Sequence, residues 1–145
     1  MEKALLLAKK AMNKNEVPIG CVIVKDDKVI ASAYNKKERT KNPLNHAEMI
    51  AIKKAVKKIG DWRLNGCTMF VTLEPCPMCA GGIANARLDR VVFGAYEPKS
   101  GCAGSLYDIL SNNGLNHTVE HVGGVLGERC ATLLKEYFAQ KRKKK

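Results

Sequence analysis

No stretch of this sequence stays apolar for the roughly 20 residues that a helix needs to cross a lipid bilayer. The N-terminal apolar run, residues 4–8, ends at Lys9 and Lys10. This run is too short for the hydrophobic region of a secretory signal, and no cleavage site follows it. We therefore expect a cytoplasmic protein without membrane association, whose six cysteines stay reduced.

Internal repeats, low-complexity segments and long linkers are also missing. The length of 145 residues is close to that of one domain. We therefore predict a single domain over residues 1–140, followed by a basic C-terminal tail over residues 141–145.

Acidic residues are scarce, because 14 Asp and Glu stand against 25 Lys and Arg, which gives a net charge of +11. The tail supplies five of the positive charges, and Lys36, Lys37, Arg39 and Lys41 crowd one loop. Such clusters often bind nucleic acid phosphates. A solvated tail that only aids solubility explains the tail alone equally well. The charge on the rest of the chain favours a polyanionic substrate.

Hydrophobic spacing predicts an alternation of helices and strands. Predicted helices cover 2–14, 46–59, 76–87 and 126–141, a helical patch lies near 105–110, and predicted strands cover 19–24, 29–34, 68–73, 90–94 and 118–122. Asp26-Asp27 makes the first two strands a hairpin. More than 20 residues separate the last two strands, so we expect them to be parallel, since a parallel pair needs a long crossover. The pattern predicts an α/β protein, a three-layer α/β/α fold with a central five-stranded mixed sheet.

His46, Cys76 and Cys79 are candidate ligands for a zinc ion. Catalytic zinc takes three protein ligands and leaves the fourth position for water. Glu48, two residues after His46, is then the candidate proton carrier for that water. Cys-x-x-Cys alone is weak evidence, but an upstream His-x-Glu with a later Pro-Cys-x-x-Cys is the signature of zinc nucleobase deaminases.

Helix geometry indicates how these side chains meet. Each helical residue turns by about 100°, so His46 and Glu48 can share a pocket only at a helix start, which Asn45 would cap. Cys76 and Cys79 lie on one face of a helical turn. The partial positive charge of two helix N-termini would help keep both thiols ionised.

Each motif also has a simpler explanation. Asn45-x-x-Glu48 matches a capping box, in which Glu48 only bonds the backbone N–H of Asn45. The two cysteines could hold a structural zinc, but this needs a fourth protein ligand. The only other histidines, His117 and His121, lie far downstream without a paired cysteine. Considered together, the motifs favour a catalytic site.

The segments around these motifs resemble the bacterial tRNA-specific adenosine deaminases. The similar segments are residues 17–20, 34–35, 46–48, 72–81, 91–95, 101–106 and 115–117. The resemblance covers nearly the whole chain and implies a cytidine deaminase-like fold, with residues 1–140 as the zinc-dependent deaminase domain. It also implies one Zn²⁺ per subunit, conversion of the wobble adenosine of an arginine tRNA anticodon to inosine, and a homodimer with its sites near the subunit interface.

The resemblance also implies individual roles. His46, Cys76 and Cys79 match the family's zinc ligands, and Glu48 matches its proton shuttle. Substrate-binding roles are implied for Asn35, which matches a residue that hydrogen-bonds the flipped base, and for Ala47, Glu97, Lys99, Phe138 and Arg142. Glu97 departs from the aspartate, one methylene shorter, that is usual in the family. An amphipathic last helix that buries its apolar face explains part of the same C-terminal sequence.

Two other functions fit parts of the pattern. A free-base or nucleoside deaminase acting on guanine or cytidine would share the zinc motif, but a small neutral substrate gains nothing from the basic charge. A non-catalytic zinc protein that binds RNA would use the basic residues, but it has no need of Glu48. Salt dependence separates the first alternative from an RNA enzyme, because RNA affinity falls steeply with added salt.

Overall fold

The structure is a computed structural model that describes residues 1–112 and 114–144. Lys145 of the predicted tail lies outside the described residues. The helices are α1 Glu2–Asn13, α2 Lys37–Thr40, α3 Ala47–Ile59, α4 Pro77–Asn85 and α5 Gly127–Lys143. The strands are β1 Gly20–Lys25, β2 Lys28–Tyr34, β3 Cys67–Leu73, β4 Arg90–Ala95 and β5 Glu120–Val122.

The five strands form one mixed sheet in the order β2-β1-β3-β4-β5. β1 and β2 form the predicted hairpin, and Asp26 and Asp27 at its turn both have positive φ, as a type I′ hairpin turn requires. β1 also pairs antiparallel with β3, whereas β3–β4 and β4–β5 are parallel. The parallel arrangement predicted for the last two strands is therefore confirmed.

Helices cover both faces of the sheet. α1 and α5 pack together on one face, while α3 and α4 pack on the other. α1 approaches β1 so closely that a Cβ on Gly20 would lie 2.0 Å from the carbonyl oxygen of Ala4. The predicted three-layer α/β/α fold is confirmed. Within the described residues, no helix combines the length and the apolar character that a membrane span requires.

Two local predictions are wrong. The patch near residues 105–110 is not helical, because it consists of turns and a short bridge between Ala103 and Asp108. The polar loop after β2 contains the short helix α2, which hydrophobic spacing did not reveal because none of its residues is buried.

The candidate site lies at one end of the strands, which we call the sheet edge. Gly20, at the start of β1, pairs with Tyr34 at the end of β2, and Leu73 pairs with Ala95 at the ends of β3 and β4. The segments that leave or enter these strand ends therefore meet at the same edge. They carry every side chain that the sequence motifs single out for chemistry.

Candidate active site

The three candidate ligands stand at the starts of two helices. His46 is the N-cap of α3, and Cys76 is the N-cap of α4, with Pro77 in the first turn. Asn45 is not the cap that we expected, because its side-chain Nδ2 donates to Thr40 Oγ1 over 2.8 Å. The helix starts one residue later, and this places the imidazole itself at the N-terminus.

The donor atoms of the three ligands are close together. His46 Nδ1 lies 3.5 Å from Cys79 Sγ and 3.7 Å from Cys76 Sγ, and all three atoms are within 4.8 Å of one another. Nitrogen and sulfur donors on one tetrahedral zinc ion lie about 3.6 Å apart, from their usual bond lengths. The trio can therefore hold a metal ion, and its soft thiols and imidazole suit zinc.

The electrostatics of the trio favour ionisation of one thiol, that of Cys76. The Cys79 thiol, together with the His46 imidazole, lowers the pKa of Cys76 to about 4 although Cys76 is partly buried. The contact with Cys76, together with burial, raises the pKa of Cys79. The hydrogen bond to Cys76 also raises the pKa of His46. Cys76 is therefore a thiolate at neutral pH, and thiolate is the form that binds metal.

Glu48 is a buried acid with one unpaired carboxyl oxygen. Its side chain is only 3% exposed, and Oε1 has no hydrogen-bond partner among the residues described. Burial, reinforced by the charge of Cys76, raises the pKa of Glu48 to about 7. The capping box is absent from this helix start, because the N–H of Asn45 donates to the carbonyl of Asn42. A carboxyl group with this pKa can both accept and donate a proton near neutrality.

A second buried polar atom at the same sheet edge lacks a partner in the described part of the chain. Asn35, directly after β2, is 4% exposed and its Oδ1 makes no hydrogen bond. Buried polar atoms are nearly always satisfied. The unpaired oxygens of Asn35 and Glu48 therefore indicate a place where a bound molecule supplies the partners.

The remaining predicted site residues lie around this edge. Ala47 is fully buried, and its N–H belongs to the first turn of α3, where a helix leaves such groups without an internal acceptor. The four others line one groove of about 540 Å³, whose walls are Glu97, Lys99, Leu134, Lys135, Phe138 and Arg142. Phe138 is 46% exposed, so an aromatic ring faces solvent within a largely basic groove.

Sequence reasoning missed two buried carboxylates, Glu16 and Glu74. Each accepts hydrogen bonds from backbone N–H groups of a loop distant in sequence. Their positions in the sequence could have pointed to them. Glu16 lies two residues before a proline ahead of β1, and Glu74 lies one residue before a proline after β3.

Comparisons with known proteins identify the family of the chain. Residues 1–142 match the MafB19-like deaminase family. The chain is 49% identical over 145 residues to the tRNA-specific adenosine deaminase of Bacillus subtilis, with 100% of this chain and 90% of that protein covered.

Solved structures share the fold. A structure from a study of A-to-I editing by tRNA:A34 deaminases at the wobble position has a TM-score of 0.89 and 38% identity, and the match covers 92% of this chain and 97% of that one. The guanine deaminase of Nitrosomonas europaea has a TM-score of 0.81 at 20% identity, with 95% and 82% covered, and shows the fold alone. The ligand trio, the buried acid and these relatives lead to one conclusion: the chain belongs to the tRNA-specific adenosine deaminase family.

Proposed function

We propose that this protein hydrolytically deaminates adenosine to inosine at the wobble position of a tRNA anticodon, with one Zn²⁺ per subunit. The observation that carries the proposal is the buried carboxyl group of Glu48, with its unpaired Oε1, next to the His46, Cys76 and Cys79 trio. A structural zinc site is closed by a fourth protein ligand, and none accompanies the trio in the described residues. The names of the relatives support adenosine in tRNA as the substrate.

The chemistry divides between the cofactor and the chain. A zinc ion held by His46, Cys76 and Cys79 supplies a Lewis acid that makes water reactive near neutral pH. Glu48 accepts a proton from the attacking water and delivers it to the ring nitrogen beside the reacting carbon. It then assists the departure of the exocyclic amine, so that adenosine and water become inosine and ammonia.

The flipped base would be held by groups that now lack partners. The side chain of Asn35 hydrogen-bonds the base, and the free N–H of Ala47 at the start of α3 donates to it. An enzyme that acts on a base in this way must take it out of its stack. Burial of both residues at the sheet edge supports a closed pocket for one nucleobase.

The groove along α5 would bind the anticodon loop. The exposed ring of Phe138 offers a stacking surface for a base, and Lys99 and Arg142 offer charge to the phosphates. The basic charge of the chain supports a polyanionic partner. We assign an arginine tRNA as the substrate on the family resemblance alone.

We further propose a cytoplasmic homodimer with the active sites near its interface. A groove of about 550 Å³ lies beside the site on the α3 face, between Lys36, Leu44, Asn45, Met49 and neighbouring residues. Leu44 is exposed there, and burial against a second copy would cover it. Light scattering coupled to size exclusion tests this assignment, and a monomer at micromolar concentration would contradict it.

The activity is tested by offering the protein four substrates: an anticodon stem-loop with adenosine at the wobble position, free adenosine, cytidine and guanine. A stem-loop with its adenosine one position away from the wobble site is the matched control. We expect inosine only in the wobble stem-loop. Deamination of guanine or cytidine alone would overturn the proposal.

The role of Glu48 is tested by Glu48→Gln, which keeps the shape of the side chain. We expect about one zinc per chain by elemental analysis and no detectable turnover. Appreciable residual turnover would refute the assigned role. Chelation separates the enzyme from a purely structural zinc protein, because loss of a closed structural site unfolds a small domain, whereas here we expect lost activity with the fold retained.

A further inference from the structure

We propose that Glu74 is a positioning residue that fastens the loop of residues 96–106 to the turn carrying Cys76, and so sets one wall of the substrate groove. We call residues 96–106 the clamped loop. The part of this inference that concerns substrate rests on the function proposed above, whereas the part that concerns the loop does not.

Glu74 uses both carboxylate oxygens on the clamped loop. Oε1 accepts the N–H of Glu97 at 3.0 Å and the hydroxyl of Ser105. Oε2 accepts the N–H groups of Ala103 and Ser105, both at 3.0 Å. The side chain is 2% exposed, so four hydrogen bonds replace the water that a carboxylate would otherwise bind.

The charge of Glu74 has no counter-ion. In the described part of the chain, no lysine, arginine or histidine forms an ion pair with it. Hydrogen bonds to an ionised acceptor are about twice as strong as neutral ones. The buried negative charge is therefore stabilised by the N–H groups of the clamped loop, and the conformation of the loop is in turn held by that charge.

Backbone contacts connect the same two segments. The N–H of Cys102 donates to the carbonyl of Pro75 at 2.8 Å, and the N–H of Glu74 donates to the carbonyl of Ala95, the residue before the loop, at 2.9 Å. The clamped loop is thus joined to the residues immediately before Cys76. Any shift of the loop changes its position relative to the metal ligands.

The carboxyl group leaves no space for a side chain at Gly101. A Cβ there would lie 2.4 Å from Glu74 Cδ and 2.5 Å from the carbonyl oxygen of Glu97. The loop therefore wraps directly over the carboxylate. This close fit distinguishes a clamp from an incidental hydrogen bond.

The clamp reaches the substrate groove through Glu97. The N–H of Glu97 is fixed by Glu74, and its own Oε1 accepts the N–H of Lys99 at 3.0 Å. Glu97 and Lys99 both line the groove along α5. A chain of hydrogen bonds therefore connects Glu74, which directly follows β3, with Glu97 and Lys99 in the wall of the groove. This is the wall that would contact the anticodon loop.

Glu74→Gln tests the clamp, because the amide nitrogen would face N–H donors and lose at least one acceptor position. Ser105→Ala is the second variant, since it keeps the carboxylate and removes only the hydroxyl bond. Ile23→Val, a core change in β1 at a residue that makes no hydrogen bond to the clamped loop, controls for a general loss of stability. Each protein is zinc-loaded and measured by hydrogen exchange and by steady-state kinetics on the wobble stem-loop.

We expect the amides of Glu97, Ala103 and Ser105 to exchange about tenfold faster or more in Glu74→Gln, with a smaller change in Ser105→Ala. The KM for the stem-loop should rise by about tenfold while kcat changes less than threefold and zinc content stays at one per chain. Ile23→Val should change neither the exchange of the loop nor KM.

Unchanged loop exchange in both Glu74→Gln and Ser105→Ala would overturn the clamp. Faster loop exchange with an unchanged KM would overturn its positioning role. If the unaltered protein fails to deaminate the stem-loop, the proposed function fails, and the exchange data still decide whether Glu74 holds the loop.

Discussion

The buried carboxylate of Glu16 accepts a hydrogen bond of 2.7 Å from the backbone N–H of Arg39. A second bond of 2.9 Å comes from the N–H of Glu38. Both donors belong to the first turn of α2, which has no side-chain cap of its own. Glu16 thus supplies, from 22 residues away in sequence, the acceptor that a helix start needs. It fixes the basic loop next to Asn35.

We predict that Glu16→Gln lowers the free energy of unfolding by roughly 1–3 kcal/mol, because one N–H of α2 loses its buried acceptor. Amides of α2 should exchange faster with solvent, as measured by hydrogen exchange alongside urea denaturation. Glu38→Gln, at an exposed position of the same helix, should be neutral. Equal stability of the Glu16 and Glu38 variants would contradict the role of Glu16.

Gly20→Ala should be strongly destabilising. A Cβ there would lie 2.0 Å from the carbonyl oxygen of Ala4 and 2.7 Å from the backbone nitrogen of Ala8, so α1 must move away from the sheet. We expect a loss of about 3 kcal/mol, the upper end for an overpacked core. Gly81→Ala is the matched control, since no atom beyond its chain neighbours and the backbone of its own helix lies within 4 Å of the added Cβ, and it should raise stability by about 0.5–1 kcal/mol through helix propensity. Chemical denaturation of both variants measures the difference.

Substitutions of the groove residues should change the salt dependence of stem-loop affinity in different ways. Lys99→Gln and Arg142→Gln should each weaken stem-loop binding and reduce the slope of log affinity against log salt by about one. Phe138→Ala should weaken binding by about 1–3 kcal/mol and leave the slope unchanged, because stacking involves no phosphate. Lys28→Gln, exposed at the opposite edge of the sheet, controls for the loss of one charge. Fluorescence anisotropy at several salt concentrations measures these quantities, and identical slopes for the Lys99 and Lys28 variants would exclude Lys99 from the RNA interface.

Thiol labelling should separate ligands from core cysteines. The pKa of Cys76 is lowered to about 4 by Cys79 and His46, whereas burial raises the pKa of Cys21 well above its ordinary value. After chelation, iodoacetamide at pH 6 should label Cys76 and leave Cys21 unmodified, since only a thiolate reacts. Added zinc should protect Cys76. Mass spectrometry of tryptic peptides gives the rates, and comparable labelling of the two residues would contradict the assigned ionisation.

The convergence of the candidate metal ligands could be predicted because each lies in a short motif at a helix start. Residue type and spacing identify His46, Cys76 and Cys79 as candidate ligands. Helix geometry explains why their side chains lie close together. The exact start of α3 was missed by one residue, because the Asn45 side chain bonds Thr40 instead of capping the helix. Which of two adjacent residues caps a helix depends on such tertiary partners.

The groove and the clamped loop could not be derived from spacing. Phe138 and Lys99 share a groove only because α5 packs back onto β4, and it was the family resemblance that pointed to both as RNA contacts. The apolar residues Leu106 and Tyr107 favoured a helix, yet both are exposed. That segment is shaped by the buried charge of Glu74, and no periodicity encodes such a long-range anchor.

The candidate ligand trio and the groove wall are supplied by different segments of the chain. The candidate reactive centre is built from the first residues of α3 and α4, whereas the wall that would contact RNA is contributed by the clamped loop and α5. A mutant library confined to that loop, with Gly101 and Ser105 retained as anchors, can diversify specificity while the catalytic core stays constant. Redirecting such an enzyme to a different nucleic acid therefore requires redesign of the clamped loop together with the groove-lining residues of α5.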